Sequence, residues 1–445
     1  MLKKVYTERG FLYNPIVQVV FSVKMSNWPN IENMKNAIYF AINHHEAMRC
    51  RIMQDVDGQA FFVLRENKCE PSVEVRDYHL SEQEFINEQE KIPFDIEKGE
   101  LIRFIVELVK DGCYLRVVCN HMAGDGKSIL ILIDEIMTNL HKIDDGTFEC
   151  SYDDDSIIPL LVHDKKQLES ELQISELLKN SMDEYNKKWE EEKVVFNRKQ
   201  YQQMFEKFWS KNATKVKSIA IHKDTLAELV HISREKNITI NSILVTAIAK
   251  AFTEQKKMTV IVDTRPADYR GMGNFAGSLM LESMYDDNKT FWENAEYIHN
   301  QIHARIDSRV MTLFALGFMG LLDENFQDAK NFLEADCYES ELVKAYNNLY
   351  GSGKGNLPVV ISNLGVNNLA SSYGKYKIEE VSFVSPKTNG IECNVGVITA
   401  NDIMKITVEY GEKATMDYDA VFDDVVQQLE EISLGSIEYL SEQYA

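Results

Sequence analysis

Apolar positions along the first third of the chain fall into two rhythms. From Asn30 to His45 they recur at Ile31, Met34, Ala37, Ile38, Ala41 and Ile42, the spacing of one helix face. Around this stretch the rhythm is that of strands. Pro15 to Val23 is a short Val- and Phe-rich run that predicts a buried strand. Met48 to Ile52 and Ala60 to Leu64 predict a hairpin with Asp57-Gly58 in its turn, and Leu101 to Val109 and Cys113 to Cys119 form a second pair around Asp111-Gly112. Ser128 to Leu140 then reads as an apolar helix. Strands and helices interleave, which predicts a mixed α/β lobe.

The pattern breaks at Tyr152-Asp-Asp-Asp-Ser156. The polar stretch Lys165 to Lys211 is dense in Glu, Lys and Gln and free of Gly and Pro, as linker helices are. Trp189, Val194, Val195, Phe196, Phe205, Phe208 and Trp209 give it an apolar side that predicts packing. Beyond Val216 come a buried helix within Asn237 to Phe252 and a strand at Met258 to Val262. Strand-like segments at Leu357 to Ser362 and Ile391 to Ala400 flank a Gly-, Ser- and Tyr-rich connection. A last strand follows at Met404 to Tyr410, and a closing helix at Tyr418 to Ile432. The expected organisation is an N-terminal lobe (1–164), a helical linker (165–212) and a C-terminal lobe (213–445). A length of 445 residues agrees, since single cores stop growing near roughly 250–300 residues.

Composition narrows the function classes. A formal charge of -22 repels polyanions, and no basic run supplies a nucleic-acid face. An acidic carrier protein would need a local basic patch. Seven scattered cysteines, Cys50, Cys69, Cys113, Cys119, Cys150, Cys337 and Cys393, form no Cys-x-x-Cys pair, so reduced thiols in a cytoplasmic protein are expected. No run of 18 apolar residues predicts a membrane span, and no cleavage site follows the N-terminal apolar run.

The segment that points to chemistry is Asn120-His-Met-Ala-Gly-Asp-Gly-Lys-Ser128, between a strand and a helix. The unperturbed pKa of histidine lies nearest neutrality, so a positioned His121 can take and return a proton. Gly124 and Gly126 permit a tight path, and Asp125 can cap the helix. A histidine after a strand more often has a structural duty. Gly126-Lys-Ser is like the end of a phosphate-binding loop, but the glycine that loop needs five positions earlier is His121. His299 and His303 share a helical face without a third ligand, and His44 and His45 end a helix, where a cation suits the dipole. Gly271-Met-Gly-Asn-Phe-Ala-Gly277 has the wrong spacing for a dinucleotide loop, and no G-x-S-x-G elbow occurs. No metal site is expected.

His121-x-x-x-Asp125-Gly126 resembles the H-x-x-x-D-G signature of the CoA-dependent acyltransferase superfamily. Chloramphenicol acetyltransferases, plant-type alcohol acyltransferases, wax-ester and polyketide-associated acyltransferases and peptide-synthetase condensation domains belong to it. Other segments match in order: Asn43 to Ile52 is similar to "H-P-x-L-R-x-R", Asn237 to Phe252 to a helix after "x-T-x-N-x-x-L", Val262-Asp-Thr-Arg265 with Met272 to Gly277 to "V-D-x-R … x-G-N-x-x-G", and Ile361-Ser-Asn-Leu-Gly365 to "S-N-x-G".

The resemblance implies two chloramphenicol-acetyltransferase-like lobes, each a mixed sheet backed by helices, with a channel between them. It implies His121 as general base, and Asp125 paired with Arg265 to hold the loop that Gly126 completes. Asn274, Ser362 and Asn363 become candidate oxyanion or substrate contacts, and Lys127, Arg270 and Lys250 candidates for a basic rim. The expected reaction is acyl transfer from a thioester to the hydroxyl or amine of a small molecule. Acyl-CoA or an acyl carrier thioester is the co-substrate, no prosthetic group is bound, and an acyl carrier protein is a candidate partner. Asn120 stands where condensation domains carry a first histidine, and Val381 to Gly390 holds no D-F-G-W-G block. Both departures point to a stand-alone enzyme. A carrier-dependent condensation enzyme and a non-catalytic binding relative remain as alternatives.

Overall fold

A six-stranded and a seven-stranded sheet organise the protein. The computed structural model describes all residues except 1, 150–155, 173, 253–256, 282–284, 351–358, 388–390, 415, 436 and 440–445. Cys150, Tyr152 to Asp155, Leu357, Pro358 and Thr388 to Gly390, which enter the expectations above, lie outside the described residues.

The chain begins with β1 (Leu2–Lys4), β2 (Gln18–Ser26), α1 (Ile31–His44), β3 (Cys50–Gln54), β4 (Ala60–Leu64), β5 (Ser72–Arg76), α2 (Glu82–Gln89), β6 (Ile102–Val109), β7 (Gly112–Asn120) and α3 (Gly126–Asp144). Next come α4 (Lys165–Leu172), α5 (Glu176–Glu192) and α6 (Arg198–Trp209), within the expected linker. The second half runs β8 (Thr214–Ile221), α7 (Lys223–Glu235), α8 (Ile240–Ala251), β9 (Met258–Asp263) and β10 (Ala276–Leu281). It continues with α9 (Phe291–Ile306), α10 (Arg309–Met319), α11 (Glu324–Glu334) and α12 (Glu341–Tyr350). It ends with β11 (Val359–Val366), β12 (Ser372–Tyr373), β13 (Tyr376–Val384), β14 (Cys393–Ala400), β15 (Ile403–Gly411), α13 (Tyr418–Ser433) and β16 (Glu438–Tyr439).

The first sheet has the order β12-β13-β2-β7-β6-β5, and only β5 and β6 pair in parallel. Its two faces follow from the two-residue period of β2. Val19, Phe21, Val23 and Met25 enter the core under α1 and α3, while Val20 joins Phe85 and Ile86 of α2 on the other face. The second sheet has the order β10-β9-β11-β14-β15-β8-β16 and packs against α7, α8, α9 and α13. A small sheet, β1-β4-β3, closes the hairpin whose Gly58 takes the positive φ that its turn requires. No helix among the described residues is long and apolar enough to cross a membrane.

The mixed α/β class and the two helix-backed sheets follow the expectation, but the chain does not divide between them at residue 213. The connection expected between two strands contains β12 and β13, and β13 crosses back to pair with β2 in the first sheet. Its alternation is broken by Glu379 and Glu380, and the register shifts between Ile378 and Glu380, so the two-residue period is hidden. Helices α11 and α12 return as well: Phe326, Phe332 and Tyr346 share the first core with Trp189 and Phe196 of the linker region. The Gly271 to Gly277 segment leads into a strand, β10, not a helix.

The β2–β7 ladder sets the position of everything that follows β7. A Cβ on Gly112 would lie 2.1 Å from the Met25 carbonyl oxygen, so Gly112→Ala forces the ladder to shift. We expect a loss of about 1–3 kcal/mol, read as a lower urea midpoint. An unchanged midpoint would show that the ladder yields freely at its turn.

Candidate functional site

The ninth residue of β7, Asn120, ends the strand in a turn that its own side chain closes, Oδ1 accepting from the Met122 amide at 3.0 Å. The His121 amide donates to Val17 O at 3.2 Å, and the Asp125 amide to Gly273 O at 3.1 Å. The intervening loop is thus fastened to β2's approach on one side and to the β9–β10 connection on the other. Space is tight at both glycines. A Cβ on Gly124 would stand 2.9 Å from Ser128 Cβ, and one on Gly126 3.0 Å from a Leu364 methyl.

Between these anchors His121 is buried, at 7% exposure. Its Nδ1 lies 3.1 Å from Gly124 O. A carbonyl oxygen can only accept, so Nδ1 carries the proton and Nε2 presents its lone pair. Nε2 has no hydrogen-bond partner among the described residues. The ring stacks on Phe11 with centroids 4.7 Å apart and planes 11° from parallel. Burial pushes the imidazole pKa below 6.5, against the Gly124 hydrogen bond and the Asp125 charge, which act to raise it. The neutral, basic form is the resting one.

Asp125 does not touch the imidazole. One carboxylate oxygen caps α3 by accepting from the Ser128 amide at 2.8 Å, and accepts from an Arg265 guanidinium N–H at 3.0 Å. The other oxygen accepts from the Phe275 amide at 2.8 Å. Arg265 also donates to Ser128 Oγ at 2.7 Å and to Gly271 O at 2.6 Å, and it lies over the Phe275 ring at 4.4 Å. Ser128 Oγ in turn donates to Gly273 O at 2.7 Å. The helix cap and the Arg265 pairing, which could have been separate readings of Asp125, are thus one arrangement.

Beside this knot lies a cavity of about 310 Å³, lined by His121, Asp125, Gly126 and Lys127 from the α3 side and by Asn274, Ser362 and Asn363 from the second sheet. The rest of its wall is largely apolar, with Phe11, Ile261, Leu316, Met319, Val360 and Phe383. Asn274 Oδ1 accepts from the Ala276 amide at 3.2 Å, leaving its Nδ2 without a partner among the described residues. Ser362 Oγ likewise has none. Asn363 is partly committed: one Nδ2 N–H donates to Asn241 Oδ1 at 3.0 Å and Oδ1 accepts from the Gly365 amide at 2.8 Å. The candidate basic rim does not assemble. Lys127 pairs with Asp263 at 2.9 Å, Arg270 donates to its own loop's carbonyls, and Lys250 is outside the cavity. No trio of metal-ligating side chains lies in this cavity among the described residues.

The condensation-domain family model matches residues 14–148, the part of the chain that carries β2, β7 and His121. Solved structures of similar shape cover nearly the whole chain. Polyketide synthase associated protein 5 from Mycobacterium tuberculosis is 12% identical over 97% of both chains, with a TM-score of 0.65. The chain has the condensation-domain fold. The first condensation domain of the CDA synthetase is 11% identical, covers 99% of this chain and 97% of its own, and has a TM-score of 0.63. The TRI3 trichothecene 15-O-acetyltransferase from Fusarium sporotrichioides is 10% identical, covers 97% of this chain and 94% of its own, and has a TM-score of 0.65. The fold is therefore shared here with condensation domains and with an acetyltransferase. No curated protein matches the sequence.

Two contributors to the site carried no signal of their own in the sequence. Phe11 sits on a one-turn helix (Arg9–Phe11) held by a fully buried ion pair between Arg9 and Asp328 of α11, 319 residues away. Ser128 reads as an ordinary first-turn residue, and only its place beside the Asp125 cap could have marked it.

The Asp125–Arg265 pair is buried, with side-chain exposures of 8% and 5%. Removing either partner strands the other's charge, at about 3–5 kcal/mol. Asp125→Ala and Arg265→Ala should each lower the melting temperature, and the double variant should lose clearly less than the two singles together. Melts of all four proteins measure this, and strict additivity would break the pairing.

Proposed function

We propose that the protein is an acyltransferase that moves an acyl group from a thioester to a hydroxyl or amine of a small molecule bound in the cavity. The observation that carries the reading is the state of His121: buried, neutral, with Nδ1 held by Gly124 O and Nε2 free to take a proton. Acceptor and thioester bind together. As the acceptor oxygen or nitrogen attacks the thioester carbonyl, Nε2 removes its proton. The tetrahedral intermediate then collapses, the carbon–sulfur bond breaks, and the imidazolium returns the proton to the leaving thiolate. Ser362 Oγ–H and Asn274 Nδ2–H, both at the cavity wall, are the donors we assign to the oxyanion. Asp125, Gly126 and Arg265 hold the loop and do not meet the reacting atoms.

Acyl-CoA is the donor we favour, with an acyl carrier thioester as the second reading. The condensation-domain match over residues 14–148 supports the carrier, while Asn120, in place of the first of two adjacent histidines, supports the stand-alone enzyme. A non-catalytic relative would have no need of an unpartnered Nε2 at a cavity wall.

Thiol release from a panel of acyl-CoAs mixed with alcohols and amines tests the reading. His121→Ala should keep the wild-type melting temperature and lose roughly 10²–10⁴-fold in turnover. Full activity of this variant on the best substrate pair would end the proposal.

The pH dependence follows from the depressed pKa. Loss of activity on acidification tracks protonation of Nε2, so kcat/KM should stay level through neutrality and fall only below pH 6.5. A profile that falls as pH drops from 8 to 7 would assign the base to another group.

A further inference from the structure

A second cluster of titratable side chains lies away from the cavity, where the end of α1 meets the middle of α3. His44 Nδ1 is 2.7 Å from one carboxylate oxygen of Glu135, and His45 Nε2 is 3.0 Å from the other. Adjacent residues on a helix do not face the same way. These two converge because α1 ends between them: His45 is its C-cap, with extended backbone at φ -110 and ψ 121. Among the described residues this is the one group of three His, Cys, Asp or Glu side chains whose ligand atoms all lie within 4.8 Å of one another. His299 and His303 stack with centroids 4.0 Å apart, but no carboxylate joins them.

We propose that His44, His45 and Glu135 form a binding site for a divalent cation of the zinc class. The chemistry is the usual one for that ion: two imidazoles, one carboxylate and a position left for water. The His44 and His45 ring centroids are 5.5 Å apart, and two imidazoles sharing a tetrahedral zinc at ~2.1 Å from each nitrogen stand roughly 5 Å apart. The carboxylate is ready as a ligand. Each of its oxygens already faces one imidazole nitrogen, at 2.7 Å and 3.0 Å. His45 is fully buried and its Nδ1 has no hydrogen-bond partner, so its polar chemistry is directed entirely at Glu135. His44 and Glu135 keep side-chain exposures of 23% and 18%, which leaves a path for the ion.

The position gives the ion a structural consequence. Glu135 lies ten residues after Asp125 on the helix that Asp125 caps. The Ile158 amide donates to His44 O at 2.8 Å, and Ile158 O accepts from the Glu46 amide at 2.9 Å. The next residue, Pro159, accepts from Tyr269 Oη at 2.8 Å. An ion here fastens α1 to α3, beside the Ile158–Pro159 segment that meets the Arg265 loop through Tyr269.

Metal-stripped full-length protein titrated with zinc chloride tests this by calorimetry and thermal melting, and cobalt(II) titration adds a coordination readout in the visible spectrum. The expected result is one ion per chain, a higher melting temperature, and the intense visible bands of low-coordinate cobalt. His44→Ala and Glu135→Gln should each weaken binding more than about 100-fold, beyond the 10–100-fold cost of losing a supporting partner. His121→Ala and the His299→Ala/His303→Ala double variant should bind as wild type. Glu135→Gln keeps the side-chain shape, so it decides the matter should His44→Ala unfold. Failure of the wild type to bind a stoichiometric ion overturns the site, as does binding left intact by Glu135→Gln.

Discussion

The carboxylate of Asp125 is the point at which the two halves of the fold are joined at their chemistry. A buried charge of this kind persists only where its hydrogen-bonding capacity is met. Here one oxygen takes the Ser128 amide and the Arg265 guanidinium, and the other takes the Phe275 amide. Each donor arrives from a different place: the first turn of α3, the residues just after β9, and the residue just before β10. None of the three segments can move alone without exposing a charge or orphaning an amide. The five residues from His121 to Asp125 hang between this knot and the Val17 carbonyl, so both sheets together fix the imidazole. Ser128 Oγ, bonded to Arg265 and to Gly273, ties the same segments a second time.

This arrangement also explains why Asp125 is near His121 without contact. A carboxylate on Nδ1 would hold a proton on the ring by direct ion pairing and raise its pKa. The Gly124 carbonyl fixes the same tautomer with a dipole instead of a full charge. Burial then outweighs the remaining attraction of Asp125, and the pKa falls. A base that is neutral at rest can act on an acceptor without first losing a proton to solvent. Phe11 covers a ring face and limits tilting, and its own position depends on the Arg9–Asp328 pair. The ring is thus oriented by one carbonyl and one aromatic face, both on elements anchored far away in sequence.

What was legible in the sequence was whatever a short window contains. The six apolar positions of α1, the two hairpins with Gly at their turns, and the strand–His121–helix junction all state themselves within about twenty residues. The motif pairing of Asp125 with Arg265 was accessible only through resemblance, because no local pattern links positions 140 apart. The return of β13 to the first sheet was not legible. Its Glu379-Glu380 step breaks the alternation, and the bulge there absorbs the break. Helices α11 and α12 were missed as well, since their burial depends on aromatic partners in α5 and on the segment before α6. Asn363, marked by its place beside Ser362 in the motif, does line the cavity, with its amide partly taken up by Asn241 and Gly365.

Charge around the cavity has a consequence for the donor that composition could not reveal. For the anionic thioester we propose as donor, a chain of net charge -22 needs cations whose partners can be exchanged. Arg265 is not one of them, because its displacement would unpair a buried carboxylate. Lys127 is: its contact with Asp263 is between side chains that are 45% and 30% exposed, where an ion pair contributes roughly 0–1 kcal/mol. A phosphate could take the place of Asp263 at little cost, and Lys127 directly follows the first residue of α3, whose N-terminal amides favour anions. The two Asp–cation pairs at this end of the fold are therefore unequal by design of their burial. The inner one is fixed and sets the geometry of His121, and the outer one is free to exchange its partner.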